Sequence, residues 1–303
     1  MKSGKISMIL WMLGCLMLTG MTACSGSDDE PSMPDDGVKL RRLTITQTDG
    51  AAARQMVTRA TLEEGDGLLT ASWTAGDKLT YCNLSRTNPN YEPYSGQLTA
   101  ASTAATSQFT DDVYCSQGDY LAVVYPATTF KTNDSYTISL SGQDGTLSGL
   151  ATNYHYVYGM AQVTAVTNET ADASMGKMKS LLTVCKFSFK DKSTNQAIPI
   201  SELKISYNSN DSNNGTYPQE ATVAVSYLTA PVNVHAKGVA SSQQLTINAN
   251  GLTEVYVALL PTAAKCKYNF TVSNSSGTYT GTAKATLTEG EFVVATGLKL
   301  TKQ

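Results

Sequence analysis

Side chains that alternate between apolar and polar at every second residue govern what this sequence can become. Leu181, Thr183, Cys185, Phe187 and Phe189 fall on one side of an extended segment, with Lys186, Ser188 and Lys190 on the other. Leu203, Ile205 and Tyr207 alternate with Lys204 and Ser206, and Cys266, Tyr268, Phe270 and Val272 with Lys265, Lys267, Asn269 and Thr271. Period two marks a strand with one face on a core and one in water, the habit of antiparallel sheets. Leu121–Tyr125 and Val255–Leu260 are apolar on both faces and are expected to be central strands. No stretch of helical length carries a 3.6-residue pattern, and Gly, Asn, Asp and Ser clusters cut the chain into many short strands. The expected fold is all-β, with sandwiches rather than α/β layers. Leu181, Phe187, Phe189, Leu203, Ile205, Val257 and Phe270 are expected in its core. No internal repeat is visible.

The N-terminus fixes the compartment. Lys2 and Lys5 precede an apolar run from Ile6 to Leu18, too short to span a bilayer and of the length of a signal-peptide core. It leads to Thr19-Gly20-Met21-Thr22-Ala23-Cys24, small residues before a cysteine, similar to the lipobox of bacterial lipoproteins. That resemblance implies a diacylglycerol on Cys24 as the first mature residue. The plain alternative is a secretory signal cut after Ala23, with no lipid. Ser25-Gly26-Ser27-Asp28-Asp29-Glu30 resembles a surface-export signal of some gut and oral anaerobes, and would serve equally as a solvated tether.

The organisation expected is a signal peptide at 1–23, a disordered tether at 24–37, and two β-sandwich domains at 38–167 and 168–303. The break falls in the small, polar stretch Asn168–Gly176, and Asn208–Gly215 is expected as a polar hairpin loop. Only 16% of the residues are charged and the formal net charge is −3, about −5 once Lys2 and Lys5 are removed. No basic patch could follow a phosphate backbone, so nucleic acid is not an expected partner. Cys82, Cys115, Cys185 and Cys266 have no C-x-x-C element, which gives no sign of zinc. Two disulfides are open to an exported chain, but thiols on apolar strand faces are expected to be buried and free.

Residues suited to catalysis are sparse. His155 and His235 are the only histidines, and no Ser, His and Asp set can be assembled around them. Asp111-Asp112 and Glu63-Glu64 are adjacent pairs, so on strands their side chains diverge, unlike the facing carboxylates of a glycosidase. Asn210–Gly215 lacks the closing acid of a calcium loop. Asp77 and Asp119 follow glycines and fit turns. Tyr154-His155-Tyr156-Val157-Tyr158 offers two readings, an aromatic platform for sugar rings or tyrosines packed in a sheet. The expectation is a protein without enzymatic activity, cofactor or metal.

Three segments carry a resemblance to a known family. They are Thr58-Arg59-Ala60-Thr61, Ser72-Trp73-Thr74-Ala75-Gly76-Asp77-Lys78-Leu79, and Gly118-Asp119-Tyr120-Leu121-Ala122-Val123-Val124-Tyr125-Pro126. Together with Tyr158-Gly159 and Met178–Phe189, they look like the fimbrillin family. The resemblance implies a type V pilus subunit with two transthyretin-like or immunoglobulin-like antiparallel sandwiches in tandem. It implies export as a lipoprotein to the outer membrane, and cutting by an arginine-specific protease that removes the first strand with its lipid. A strand of another subunit then fills the groove, so the partners are other pilus subunits, with host or bacterial surface ligands for an adhesin. The site residues implied are Cys24 for lipidation and Arg59-Ala60 for cleavage, with Arg54 second. The first strand is expected at Leu40–Thr48, with Leu43 and Ile45 inward and Arg41 and Arg42 ahead of it. A last strand at Glu291–Thr301 ends the chain, with no separate donor extension after it. A second hypothesis is a monomeric surface lipoprotein that binds glycans through exposed aromatics.

If Cys24 is lipidated, the protein enters the detergent phase and labels with palmitate. Cys24→Ser should abolish the label and release the protein; full labelling of that variant refutes the lipobox reading.

Overall fold

The computed structural model describes residues 37–47, 61–65, 68–87, 90, 93–132, 134–208 and 215–303. The strands of its first half are β1 (Lys39–Gln47), β2 (Thr61–Gly65), β3 (Leu68–Ser72), β4 (Lys78–Thr87), β5 (Pro93–Ala100), β6 (Gln108–Cys115), β7 (Tyr120–Tyr125), β8 (Phe130–Thr132) and β9 (Ser135–Ser139). After a short helix, α1 (Leu147–Asn153), come β10 (Val157–Val166), β11 (Thr170–Met175) and β12 (Lys179–Ser180). The rest are β13 (Thr183–Asp191), β14 (Ile200–Asn208), β15 (Glu220–Ala224), β16 (Ala236–Gly238), β17 (Leu245–Leu252), β18 (Val255–Leu259), β19 (Cys266–Asn274), β20 (Gly277–Ala285) and β21 (Phe292–Lys302). The all-β expectation holds.

Backbone pairing closes the first half into a ring. Its sheet runs β11-β1-β6-β5-β4-β7-β10-β12, and β10 also pairs with β11. The second sheet runs β17-β14-β19-β20-β21-β13-β18. The two orders are the same once strands are matched by rank, β1 with β13, β4 with β14, and onward to β11 with β21. In both halves the first strand lies parallel to the last, Leu43 beside Ala171 and Cys185 beside Val293. The architecture is therefore repeated although the sequence shows no repeat, because a topology fixes pairing order and not residue identity.

One joint differs between the halves. In the first, β5 pairs with β6 through Thr99–Thr110 and Ala100–Phe109. The matching strands β17 and β18 share no ladder, and the chain between β9 and α1 fills the seam. Asn248 of β17 donates its backbone N–H to the Gln143 carbonyl at 3.1 Å, and Tyr256 of β18 donates to the Gly145 carbonyl at 2.9 Å. The Gln143 side chain then pairs with Ala258 as a strand would. Its Oε1 accepts the Ala258 N–H at 2.7 Å and its Nε2 donates to the Ala258 carbonyl at 3.0 Å. Gly145 has a φ of +76°, and a Cβ there would stand 2.8 Å from Val255 Cγ1, so the seam admits only glycine without displacement. β9 continues the union by pairing with β15 in a four-stranded sheet of order β16-β15-β9-β8. Asp36–Gln303 accordingly forms one compact unit. β11 and β12 follow residue 168 in sequence yet belong to the first sheet.

The two all-apolar segments have different causes. β7 is central, between β4 and β10. Its Leu121, Val123 and Tyr125 enter the core of the first ring, while Ala122 and Val124 face the larger core that extends into the second half. β18 is instead the end strand of its sheet, which corrects the expectation of a central place. It is apolar because α1 and the Gln143–Gly145 segment cover it. The seven expected core residues are all buried. Alternation fails at the end of β14, where Ser206 is buried and Tyr207 partly exposed. Tyr154–Tyr156 is not a strand, since β10 starts only at Val157. Of the expected polar hairpin loop, residues 209–214 lie outside the described residues.

Gln143→Leu keeps the bulk but leaves the Ala258 N–H and carbonyl unpaired in a dry seam. We expect a loss of about 2–4 kcal/mol by denaturant unfolding, two buried groups being orphaned. Hydrogen exchange at Ala258 should quicken in the same variant.

Candidate functional site

The site that the sequence pointed to is the first strand. Arg41, Leu43, Ile45 and Gln47 share the inner face of β1 by period two, and all four are buried. Arg41 and Arg42 stand inside β1, not ahead of it, which corrects the place expected for them; a cut after either would split the strand. β1 runs antiparallel to β6, with Ile45 beside Phe109, and parallel to β11, with Ile45 beside Ala173. Both its edges are thus satisfied by main-chain pairing. Arg41 is 1% exposed. Its Nε donates to the Thr167 carbonyl at 2.7 Å and its Nη1 to the Cys115 carbonyl. At the other end Gln47 Oε1 accepts the indole N–H of Trp73 at 3.2 Å, while Gln47 Nε2 is buried and has no hydrogen-bond partner among the described residues. Outside, Arg42 lies 3.9 and 3.7 Å from Asp111 and Asp112, in water where such pairs contribute little.

The motif residues converge on this strand. Trp73 is fully buried and meets Phe109 edge-on at 4.9 Å and Tyr125 at 5.5 Å. The turn before β4 aims it: Asp77 Oδ2 accepts the Thr74 N–H at 2.6 Å, and Gly76 takes a φ of +93°. Burial raises the Asp77 carboxyl above its ordinary range despite that bond. Asp119 is more than a turn residue. It is buried, and its carboxylate accepts from Asn83 Nδ2 at 2.8 Å, the Ser116 N–H at 2.9 Å and Arg86 Nε at 2.9 Å. Gly159 lets β10 approach Met175 and Met178, where a Cβ would come within 2.9 Å of both side chains.

The hairpin β2–β3 is held separately from β1. Its Leu62, Leu69 and Ala71 join the larger core. Glu64 takes the Lys186 ammonium at 2.9 Å and the Tyr256 hydroxyl. The Tyr256 and Lys186 bonds hold the Glu64 carboxyl below its usual range, and the Glu64 bond raises Lys186.

Other candidates are set by packing. Tyr156 and Tyr158 are buried, so they offer no platform to a sugar, and Tyr154 donates to the Ser141 carbonyl at 2.8 Å. His155 is buried, whereas His235 is mostly exposed and sits 2.8 Å from Glu289, itself 2.7 Å from Lys179. Lys179 and Glu289 line a cleft of about 370 Å³. Cys82, Cys115, Cys185 and Cys266 are free and buried. Burial pushes Cys82 up to about 12 and Cys115 up to about 11. Among the described residues no group of three or more His, Cys, Asp or Glu could hold a metal, and no helix is long and apolar enough to cross a membrane. Cys24, Arg54, Arg59 and Ala60 lie outside the described residues.

No family model matches this sequence, and no curated protein matches it. Among solved structures, it is similar to a "putative cell adhesion protein" of Bacteroides uniformis. That likeness has a TM-score of 0.52 at 15% identity and covers 87% of this chain and 96% of the other. It extends to the whole two-part fold. A second protein of that description, from Bacteroides eggerthii, gives a TM-score of 0.41 at 11% identity over 86% of this chain and 88% of its own. The shaft pilin SpaA of Lactobacillus rhamnosus GG gives 0.35 at 11% identity over 88% and 98%. Below 0.5 these last two are distant likenesses on which nothing rests.

Acid should loosen the hairpin. Glu64 has a lowered carboxyl pKa in the fold, so its contribution is complete above the ordinary carboxylate range and is lost as pH falls through the folded value. The protection of the Leu62–Glu64 amides, corrected for the intrinsic exchange rate, should therefore fall as pH drops below the ordinary carboxylate range. Glu64→Gln should show that lower protection already at neutral pH, with little further change on acidification.

Proposed function

We propose that this chain is a structural or adhesive subunit of a type V pilus, exported as a lipoprotein on Cys24 to the outer membrane and assembled by strand exchange after its first strand is removed. The observation that carries the reading is the position of β1. It is a single strand set between β6 and β11, with Leu43 and Ile45 fully buried. Residues 48–60, which include Arg54 and Arg59, separate it from a hairpin that has its own anchorage on Lys186 and Tyr256. One cut in that stretch would free β1 and leave β2–β3 seated. Losing β1 exposes Leu43 and Ile45 and unpairs two ladders, a cost of several kcal/mol that a strand from another subunit would recover. The shared fold with a protein described as adhesive supports the same reading. A monomeric glycan-binding lipoprotein is the weaker reading. It would rest on exposed aromatics such as Tyr227, stacked on Tyr120 at 6.0 Å.

The test is the N-terminus of the subunit in surface filaments. Cleavage at Arg59 gives Ala60 as the first residue, and cleavage at Arg54 gives Gln55. Filament subunits that still begin at lipidated Cys24 and retain β1 would refute strand exchange for this chain.

A further inference from the structure

We propose that the channel between β6 and β11 recognises its strand by polar groups at both ends, so that an incoming strand must present Arg–x–aliphatic–x–aliphatic–x–Gln. The inference rests on the strand-exchange reading and defines the partner as a strand of another subunit with that pattern. The centre of the channel is undemanding: Leu43 and Ile45 are replaceable by any aliphatic pair of similar volume.

The ends are different. The Cys115 carbonyl ends β6 and the Thr167 carbonyl follows β10, and the single guanidinium of Arg41 serves both. Its planar fork can bond two acceptors at once, whereas a lysine places one compact charge. At the far end the buried Trp73 indole is a donor only, so the strand must bring an acceptor, as Gln47 Oε1 does. Among the described residues the buried Gln47 amide nitrogen has no hydrogen-bond partner, so the channel uses the carbonyl end of that side chain. The six-residue spacing spans ~20 Å of extended chain. The pairing directions fix polarity: the arginine must lie beside Cys115 and Thr167, and the acceptor beside Trp73.

The experiment uses the full chain with a sequence-specific protease site placed within residues 48–60. After cutting, β1 is removed in mild denaturant and the emptied protein is titrated with fluorescent peptides of residues 39–47. We expect Arg41→Leu and Gln47→Leu each to weaken binding roughly tenfold or more, and Arg41→Lys to fall between Arg41→Leu and the parent. Thr46→Ser, on the exposed face, should bind as the parent does. A purely apolar channel predicts the opposite sign, since both leucine peptides are more hydrophobic. Leucine peptides that bind as well as the parent or better would overturn the code while leaving strand exchange standing. A parent peptide that fails to bind the emptied protein would overturn both.

Discussion

The bonds between the Gln143 side chain and the backbone of Ala258 hold the second half of this protein closed. A sheet that curls toward closure leaves two edges facing each other, and each carries N–H and carbonyl groups that cannot stay dry and unpaired. The first half closes its ring with backbone ladders alone. The second leaves β17 and β18 apart and borrows Gln143 and Gly145 from the chain between β9 and α1. The larger core follows from that loan. Apolar residues of β7, of the four-stranded sheet and of the second half pack as one cluster. The second half therefore depends on a residue that precedes its partner Ala258 by 115 positions.

The repeated topology makes β1 and β13 equivalents, and comparison separates what is general from what is special. Each is a first strand, parallel to the last strand of its half. β13 presents Thr183, Cys185, Phe187 and Phe189 inward, and the one charged residue on that face, Asp191, ends the strand with its carboxylate taking the Ser193 and Thr194 N–H groups of the following turn. β1 presents Arg41 and Gln47 around two aliphatic residues. A closed core has no need of a buried guanidinium, and desolvating one is costly. Arg41 at one end of β1 and Gln47 at the other, its Oε1 on the Trp73 indole, are the polar groups by which we propose the channel selects its strand.

Much of the fold was legible in the sequence. β19 alternates throughout and β13 from Cys185 onward, and their inward residues are buried as period two requires. The Arg41, Leu43, Ile45, Gln47 face was open to the same reading, since all four sit at even spacing. What escaped were contacts made at long range. Val255–Leu260 reads like a central strand, and nothing local says that a glutamine side chain covers its edge. Tyr154–Tyr158 reads as a strand, but the helix before it holds the first part in another conformation. A parallel first–last pairing joins residues far apart and leaves no trace in either strand's pattern.

That parallel pairing decides how each half answers a pull. The chain enters β13 at Thr183 and leaves β21 at Lys302, and the two strands lie side by side in the same direction. Force on those two points slides one strand along the other. The pairs from Val184–Phe292 to Asp191–Leu300 then share the strain together, instead of opening one after another as in a hairpin peeled from its ends. The same holds for β1 against β11. Each half is thus built to resist tension along its strands and to yield most readily to forces across them.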